Sequence, residues 1–215
     1  MNGALRVSEI YASVQGESTR AGEPCVFLRL TGCPLRCAWC DTAYAFIGGE
    51  DMAADEALQK ALSFGLPLVE VTGGEPLAQA ASIPLMEALL KAGLTVLLET
   101  SGALDISQVP KGVHRIVDVK CPGSGEETRN RWENLANLTP DDEVKFVLSD
   151  EADYQYAKRV MFEHGLEGKC PVLFSPVAGF LDPAQLADWM VRDRLRARLN
   201  LQLHKVLWPG ESKGR

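Results

Sequence analysis

The stretch LTGCPLRCAWCDTAY, Leu30 to Tyr44, places Cys33, Cys37 and Cys40 within eight residues. Three residues separate the first pair and two the second. This density is the spacing of metal ligands, not of a disulfide scaffold. The other cysteines, Cys25, Cys121 and Cys170, are scattered. Thiolates are soft ligands that suit zinc or an iron–sulfur cluster better than a hard cation. A closed zinc site takes four protein ligands, and His114, His164 and His204 all lie far away in sequence. Two readings stay open at this point. One is a catalytic zinc site with a free position; the other is a [4Fe–4S] cluster on three thiolates, with one iron left for a non-protein ligand. Cys25 is expected on the face of the outward-pointing leucines of the preceding strand, as core packing.

Outward from this loop, strand and helix patterns alternate. Strands are expected over Arg6–Val14, Cys25–Thr31, Pro67–Thr72, Leu94–Thr100, Val113–Lys120, Glu143–Leu148, Cys170–Ser175 and Leu199–Val206. Ala54, Ala57, Leu58, Ala61 and Leu62 repeat at helical spacing. Ser82 is expected to cap a helix that carries Pro84 in its first turn and stops at Gly93. Asp182-Pro183 opens another helix, and Tyr156, Ala157, Val160 and Met161 mark one between Asp150 and His164. Strands joined by helices predict a mostly parallel α/β sheet with the helices outside. CPGSGEETRN, from Cys121, reads as a surface loop.

The strands have two unlike faces. Val26, Leu28 and Leu30 oppose Phe27, Arg29 and Thr31. Val69 and Val71 oppose Glu70 and Thr72, and Leu94, Val96 and Leu98 oppose Thr95, Leu97, Glu99 and Ser101. Val117 and Val119 oppose Asp118 and Lys120; Leu199, Leu201 and Leu203 oppose Asn200, Gln202 and His204. With the apolar faces on the helices, the polar faces converge on a common interior. Buried charges are costly unless paired or used, so a polar lumen predicts a site for a charged, hydrogen-bonding small molecule.

The 215 residues fit one domain, residues 1–215, with 209–215 as a flexible tail. A net charge of −7 argues against a general nucleic-acid binder. Arg192, Arg194, Arg196 and Arg198 read as a solvated surface. No apolar run approaches the roughly 20 residues that span a bilayer, and the N-terminus lacks a signal-peptide pattern. A cytoplasmic protein without membrane contact is expected.

The cysteine spacing after a strand, with Trp39 just before Cys40, resembles the radical S-adenosylmethionine (SAM) superfamily. The match continues at TGGEP, Thr72 to Pro76. YASVQGES (Tyr11–Ser18), FLRLTGC, CDT (Cys40–Thr42), ETSG from Glu99, DVKCPGSGE from Asp118, EVKFVLSDEADY from Glu143, LFSPV from Leu173 and LQLHKVLW from Leu201 extend it across nearly the whole chain. These motifs resemble the 7-carboxy-7-deazaguanine synthase family. YASVQGES and DVKCPGSGE also speak against a radical activating enzyme that acts on a partner protein; a non-enzymatic zinc module is the alternative that metal analysis separates.

The resemblance implies an incomplete parallel β/α barrel, a homodimer, and an electron donor such as flavodoxin. It implies a [4Fe–4S] cluster on Cys33, Cys37 and Cys40, whose free iron binds SAM, and Mg²⁺ at Thr42. The reaction implied is 6-carboxy-5,6,7,8-tetrahydropterin to 7-carboxy-7-deazaguanine with loss of ammonia, on the route to queuosine and related deazapurines. A 5′-deoxyadenosyl radical would abstract the substrate hydrogen. Val14, Gln15, Gly16 and Thr72 would contact the pterin, with Glu17 close by. Arg29 would pair with its carboxylate, a role its bidentate geometry suits. Trp39, Gly73, Gly74, Glu75, Asp118, Val119, Lys120 and Ser175 would form the SAM site, where open backbone polar groups at Gly73 and Gly74 are expected. His204 would close over substrate.

Overall fold

The computed structural model describes residues 3–211 and 213–214. Strand β1 (Ala4–Val14) turns back into β2 (Pro24–Leu30), and a short β3 (Glu50–Ala53) leads into helix α1 (Ala54–Ser63). Next come β4 (Leu68–Gly73), α2 (Ser82–Lys91), β5 (Thr95–Thr100), β6 (Val113–Asp118) and β7 (Glu143–Leu148). The chain ends with α3 (Glu151–Glu163), β8 (Val172–Pro176), α4 (Pro183–Arg192), the two-residue β9 (Arg198–Leu199) and α5 (Leu203–Leu207). Among the described residues the strands form one nine-stranded sheet, ordered β3-β1-β2-β4-β5-β6-β7-β8-β9. From β2 to β9 every pairing is parallel; β1 pairs antiparallel with both β2 and β3. The sheet curves as a barrel wall but does not close.

The two-residue alternation does what the sequence predicts. Val26, Leu28, Leu30, Val69, Val71, Val96, Leu98 and Val117 pack outward in one core with Ala57 and Ala61 of α1, Leu85 and Leu89 of α2, and Ala157 and Met161 of α3. Each fully buried Leu there contributes roughly 1.5–3 kcal/mol. The opposite face has two tiers. Cys25, Phe27, Leu68, Leu97 and Ile116 form a small apolar cluster that floors the lumen. Above it stand Arg29, Glu70, Thr72, Glu99, Asp118 and Lys145, all lining one cavity.

Several expectations are corrected. Cys25 faces inward, not with the leucines: a period of two puts it with Phe27 and Arg29. The strand expected over Leu199–Val206 stops at Leu199, because Leu203 N–H turns to the Gly16 carbonyl (2.9 Å) and α5 begins. The alternation survives this peel-off: Asn200 is buried while Leu199 and Leu201 are exposed. Ser82 is not a cap; Ala81 holds that place, and the Ser82 hydroxyl is buried with no hydrogen-bond partner among the described residues. Asp182 and Asp150 do cap α4 and α3, accepting from Ala184 N–H and Asp153 N–H. The Cys121 segment is no plain loop. Ser124 O accepts Ala38 N–H (3.0 Å) and Glu126 Oε1 accepts Arg36 N–H (2.6 Å), so it docks the cysteine loop. Strand β3 has no counterpart in the sequence reading.

The β1–β2 turn reaches across the sheet to β7. Thr19 donates its N–H (3.1 Å) and its hydroxyl to Glu143 at the start of β7. Of the expected tail, Ser212 and Arg215 lie outside the described residues, as do Met1 and Asn2. Glu211 faces the cavity, the Lys213 ammonium lies 4.9 Å from the Tyr44 ring centroid, and Gly214 N–H donates to Glu9 Oε2 (3.2 Å). Among the described residues no helix is long and apolar enough to cross a membrane.

Two glycines test how tightly the sheet holds the cysteine loop. A Cβ on Gly74 would collide with the Gly32 backbone, whereas one on Gly168, in the turn Leu166–Gly168, would meet nothing within 4 Å. Gly74→Ala is expected to cost about 2–3 kcal/mol, read as a lower Tm, and to reduce iron uptake on reconstitution. Gly168→Ala should leave the Tm unchanged or slightly raised.

Candidate active site

The motifs singled out in the sequence fall at the C-terminal ends of successive parallel strands, where such folds bind ligands. The cysteine loop follows β2, TGGEP follows β4, and ETSG and DVK close β5 and β6. The loop's root rests on TGGEP: Gly74 N–H donates to Leu30 O (2.9 Å) and Glu75 N–H to Gly32 O (2.7 Å). Gly73, at φ +132°, sits where any Cβ would strike the Leu30 backbone. The Gly74 N–H is thus not open to a ligand, contrary to expectation, because it secures the loop.

Glu75 is wholly buried and does not line the cavity. Its carboxylate accepts from Leu77 N–H (2.9 Å), the Thr100 hydroxyl, and the N–H (2.7 Å) and hydroxyl of Ser101. One carboxylate so locks TGGEP to ETSG. Ser175 is also off the cavity lining, its hydroxyl accepting from Asn200 Nδ2 at 2.7 Å.

The cavity, about 260 Å³, gathers the other sequence-derived residues: Val14, Gln15, Gly16, Glu17, Arg29, Trp39, Thr42, Thr72, Gly73, Gly74, Asp118, Val119, Lys120 and His204, with all three clustered cysteines. Trp39 packs on Gly123, where a Cβ would lie 2.8 Å from its ring. Cys40 Sγ lies 3.7 Å from the Thr42 hydroxyl. Burial pushes the Cys33 and Cys37 thiols up, and the nearby Lys120 ammonium works the other way.

The centre of the polar tier is Lys145, which the sequence reading did not single out. Its ammonium pairs with Glu17 Oε2 (3.0 Å), with Glu99, and with Asp118 Oδ1 (3.6 Å). Lys120 meets Asp118 Oδ2 at 2.6 Å. Burial works against the Lys145 ammonium, but Asp118, Glu17 and Glu99 outweigh it and hold it well above the ordinary lysine range. Burial likewise opposes the Glu99 carboxylate, yet Lys145 and the Thr72 hydroxyl (3.0 Å) bring its pKa down to about 2. The signal was present: in EVKFVL, Lys145 breaks the apolar run between Val144 and Phe146.

Arg29 is engaged from β1. Its Nε donates to Glu9 Oε1 (2.9 Å) and Nη2 to the Tyr11 hydroxyl (3.1 Å), and Tyr44 also donates to Glu9 (2.7 Å). The sequence assigns no role to Glu9, and none to Tyr11 beyond its place in YASVQGES, because nothing local signals that β1 pairs antiparallel with β2.

Residues 28–120 match the Radical SAM superfamily. A Koribacter versatilis protein named 7-carboxy-7-deazaguanine synthase is 49% identical, over 98% of this chain and 100% of the relative. The chain belongs to the 7-carboxy-7-deazaguanine synthase family. A Chlorobaculum tepidum relative of the same name is 47% identical, over 98% and 97% of the two chains. The crystal structure of QueE from Escherichia coli shares the fold, with a TM-score of 0.76 at 21% identity over 93% of this chain and 94% of that one. Streptococcus suis SuiB bound to S-adenosylmethionine is more distant, with a TM-score of 0.53 at 16% identity, over 79% and 44%.

The family implies SAM and a [4Fe–4S] cluster, and the donor set fits. Three thiols from one loop border one cavity, while among the described residues no three His, Cys, Asp or Glu side chains converge on a single metal ion. One thiolate per iron is the arrangement such clusters use.

Lys145→Met is expected to cost about 3–5 kcal/mol, because Glu17, Glu99 and Asp118 lose their shared partner. The pH dependence gives the sign. In the wild type, the lowered pKa of Glu99 contributes stability that is fully present above its ordinary value of 4.5 and lost as pH falls through about 2. Without Lys145 more of the crowded carboxyls titrate high, so the variant's Tm should fall more steeply than the wild type's as pH rises from 5 to 8; Glu70, raised already in the wild type, gives both a downward slope. Thermal melts across that range check both.

Proposed function

We propose that this enzyme converts 6-carboxy-5,6,7,8-tetrahydropterin to 7-carboxy-7-deazaguanine with release of ammonia, within queuosine or related deazapurine biosynthesis. One observation carries the reading: in a chain 49% identical to a synthase of that name, a single cavity has the three-thiol loop at its mouth and a tier of buried charges beneath. Substrate and product differ by one ammonia, so the conversion is redox-neutral overall. When bound, the cluster and SAM supply a 5′-deoxyadenosyl radical that removes a substrate hydrogen.

The chain's residues do the remaining work. Cys33, Cys37 and Cys40 hold the cluster. Trp39, Gly73, Gly74, Asp118, Val119 and Lys120 line the SAM side, with Glu75 and Ser175 bracing it from behind. Val14, Gln15, Gly16 and Thr72 face the pterin, and Arg29 takes its carboxylate. Thr42 would give its hydroxyl to Mg²⁺. Glu17 and His204 close the far wall; the His204 ring sits so near Gly16 that a Cβ there would lie 2.6 Å from Nδ1. The apolar floor excludes water, which strengthens every charge interaction above it. The chain acts as one domain and a cytoplasmic homodimer, and takes its electron from a small donor such as flavodoxin.

The test is an anaerobic assay of reconstituted protein with dithionite, SAM, Mg²⁺ and the carboxytetrahydropterin, without any partner protein. Deazaguanine product, ammonia and 5′-deoxyadenosine are expected together. Omitting Mg²⁺ should lower turnover at least about tenfold, the effect of losing one charge contact of roughly 1.4 kcal/mol. SAM cleavage without deazaguanine would refute the substrate assignment.

A further inference from the structure

Gln15 and Glu70 meet deep in the cavity, 55 residues apart in the chain. Gln15 Nε2 donates to Glu70 Oε2, and Gln15 Oε1 accepts the Glu17 N–H at 3.1 Å. Both side chains are buried, each residue 3% exposed. One amide therefore ties the middle of β4 to the turn that reaches across to β7. The neck of that turn is held separately, by Gln15 N–H to Glu23 O and Gly22 N–H to Gln15 O, both 2.8 Å. Beyond those bonds, Gly16 and Glu17 are held by the Gln15 side chain, by Leu203 N–H to Gly16 O (2.9 Å), and by the contacts of Glu17 with Lys145 (3.0 Å), Gln202 (2.9 Å) and Asn200 (3.3 Å).

Glu70 joins none of the ion pairs among the described residues. It faces Glu99, Glu17 and Lys145, with the Cys25 thiol beneath. Burial and then the Glu99 charge push its carboxyl well above the ordinary range. Beside Glu99 and Glu17, an uncharged acid is the form that avoids a third negative charge.

We propose that Glu70 is a positioning residue: it clamps the Gln15 amide, and through it the Gly16–Glu17 turn, so that this wall meets the ligand already ordered. The proposal rests on the reading in which residues 14–17 contact the pterin. Preorganisation lowers the ordering cost of binding, so its loss falls on substrate affinity before chemistry. Glu70→Gln keeps the shape, the neutrality and an acceptor for Gln15. Glu70→Leu keeps the volume, strips the acceptor and leaves Gln15 Nε2 unpaired.

The experiment compares reconstituted wild type, Glu70→Gln, Glu70→Leu, Gln15→Leu and the double leucine variant. Amide hydrogen exchange of peptides spanning residues 14–19 is measured without substrate, and steady-state turnover with it. In Glu70→Leu, exchange of that turn and KM for the pterin should each rise at least about tenfold, with kcat and substrate-independent SAM cleavage within about threefold of wild type. Glu70→Gln should restore both values. The double variant should be no worse than the worse single variant, because the two residues act as one unit. Unchanged exchange in Glu70→Leu, equal damage in Glu70→Gln, or losses that multiply in the double variant would each overturn the clamp. Should Glu70→Leu fail to fold, Glu70→Met takes its place, with wild-type-like exchange overturning the clamp and loosened exchange supporting it. Exchange is read without turnover. A wild type that makes no deazaguanine therefore sinks the proposed function, while the exchange comparison still decides for or against the clamp.

Discussion

Lys145 is the interaction on which the rest of this structure depends. Its ammonium, almost out of reach of water, is shared by carboxylates from the β1–β2 turn, β5 and β6. The sheet stays open between its edge strands β3 and β9, and the β1–β2 turn reaches across it to the interior strand β7 and to α5. Glu17 crosses the gap to Lys145, Thr19 reaches Glu143 on the same strand, and Gly16 O receives the Leu203 N–H. Stripping an ammonium and its carboxylates of water costs several kcal/mol per ion, recovered only with close geometry and full hydrogen bonding. The site is therefore polar for two reasons at once. Its charges line the cavity, and they also tie the β1–β2 turn to β5, β6 and β7.

The two ends of the cavity are built by different physics. The cysteine loop is set by backbone packing: Gly73 and Gly74 let the ends of β4 and β2 approach, and the buried Glu75 carboxylate pins the result to Ser101. No charge partner is needed there, because N–H and O–H donors satisfy that carboxylate. The lower cavity is set by ion pairs over an apolar floor. A substitution at the first end acts by moving the loop. At the second end it acts by leaving a charge unpaired.

Much of this was legible in the sequence, because the alternation of β2, β4, β5 and β6 assigns each side chain to helix or lumen with a period of two. The same rule applied to Cys25 gives the inward face that the structure shows. Lys145 was readable on the same grounds, as a charged residue between Val144 and Phe146. Other features had no local signature. The antiparallel pairing of β1, and with it the Glu9–Arg29 contact, follows from a hairpin whose turn spans residues 15–23 and carries no short-turn signal. The Gln15–Glu70 bond joins residues 55 apart, and no spacing predicts it. At Leu199 the alternation continues while the ladder ends, so the pattern read as a strand what the Gly16 carbonyl turns into a helix.

Arg29 shows how the charge count constrains the ligand. Its Nε edge is taken by Glu9 and one Nη2 hydrogen by Tyr11, so a substrate carboxylate arriving as proposed meets only the remaining N–H groups. Two carboxylates would then share one guanidinium in a partly buried site, where Glu9 is also held by Tyr44 and cannot swing away without breaking that bond. Mutual repulsion of the carboxylates at short range offsets part of what Arg29 contributes. A second positive charge beside the incoming carboxylate restores the balance, and the Thr42 hydroxyl on the cysteine loop is the place proposed for it. The pairing of Arg29 with Glu9 therefore leaves this guanidinium able to balance only part of an incoming carboxylate's charge.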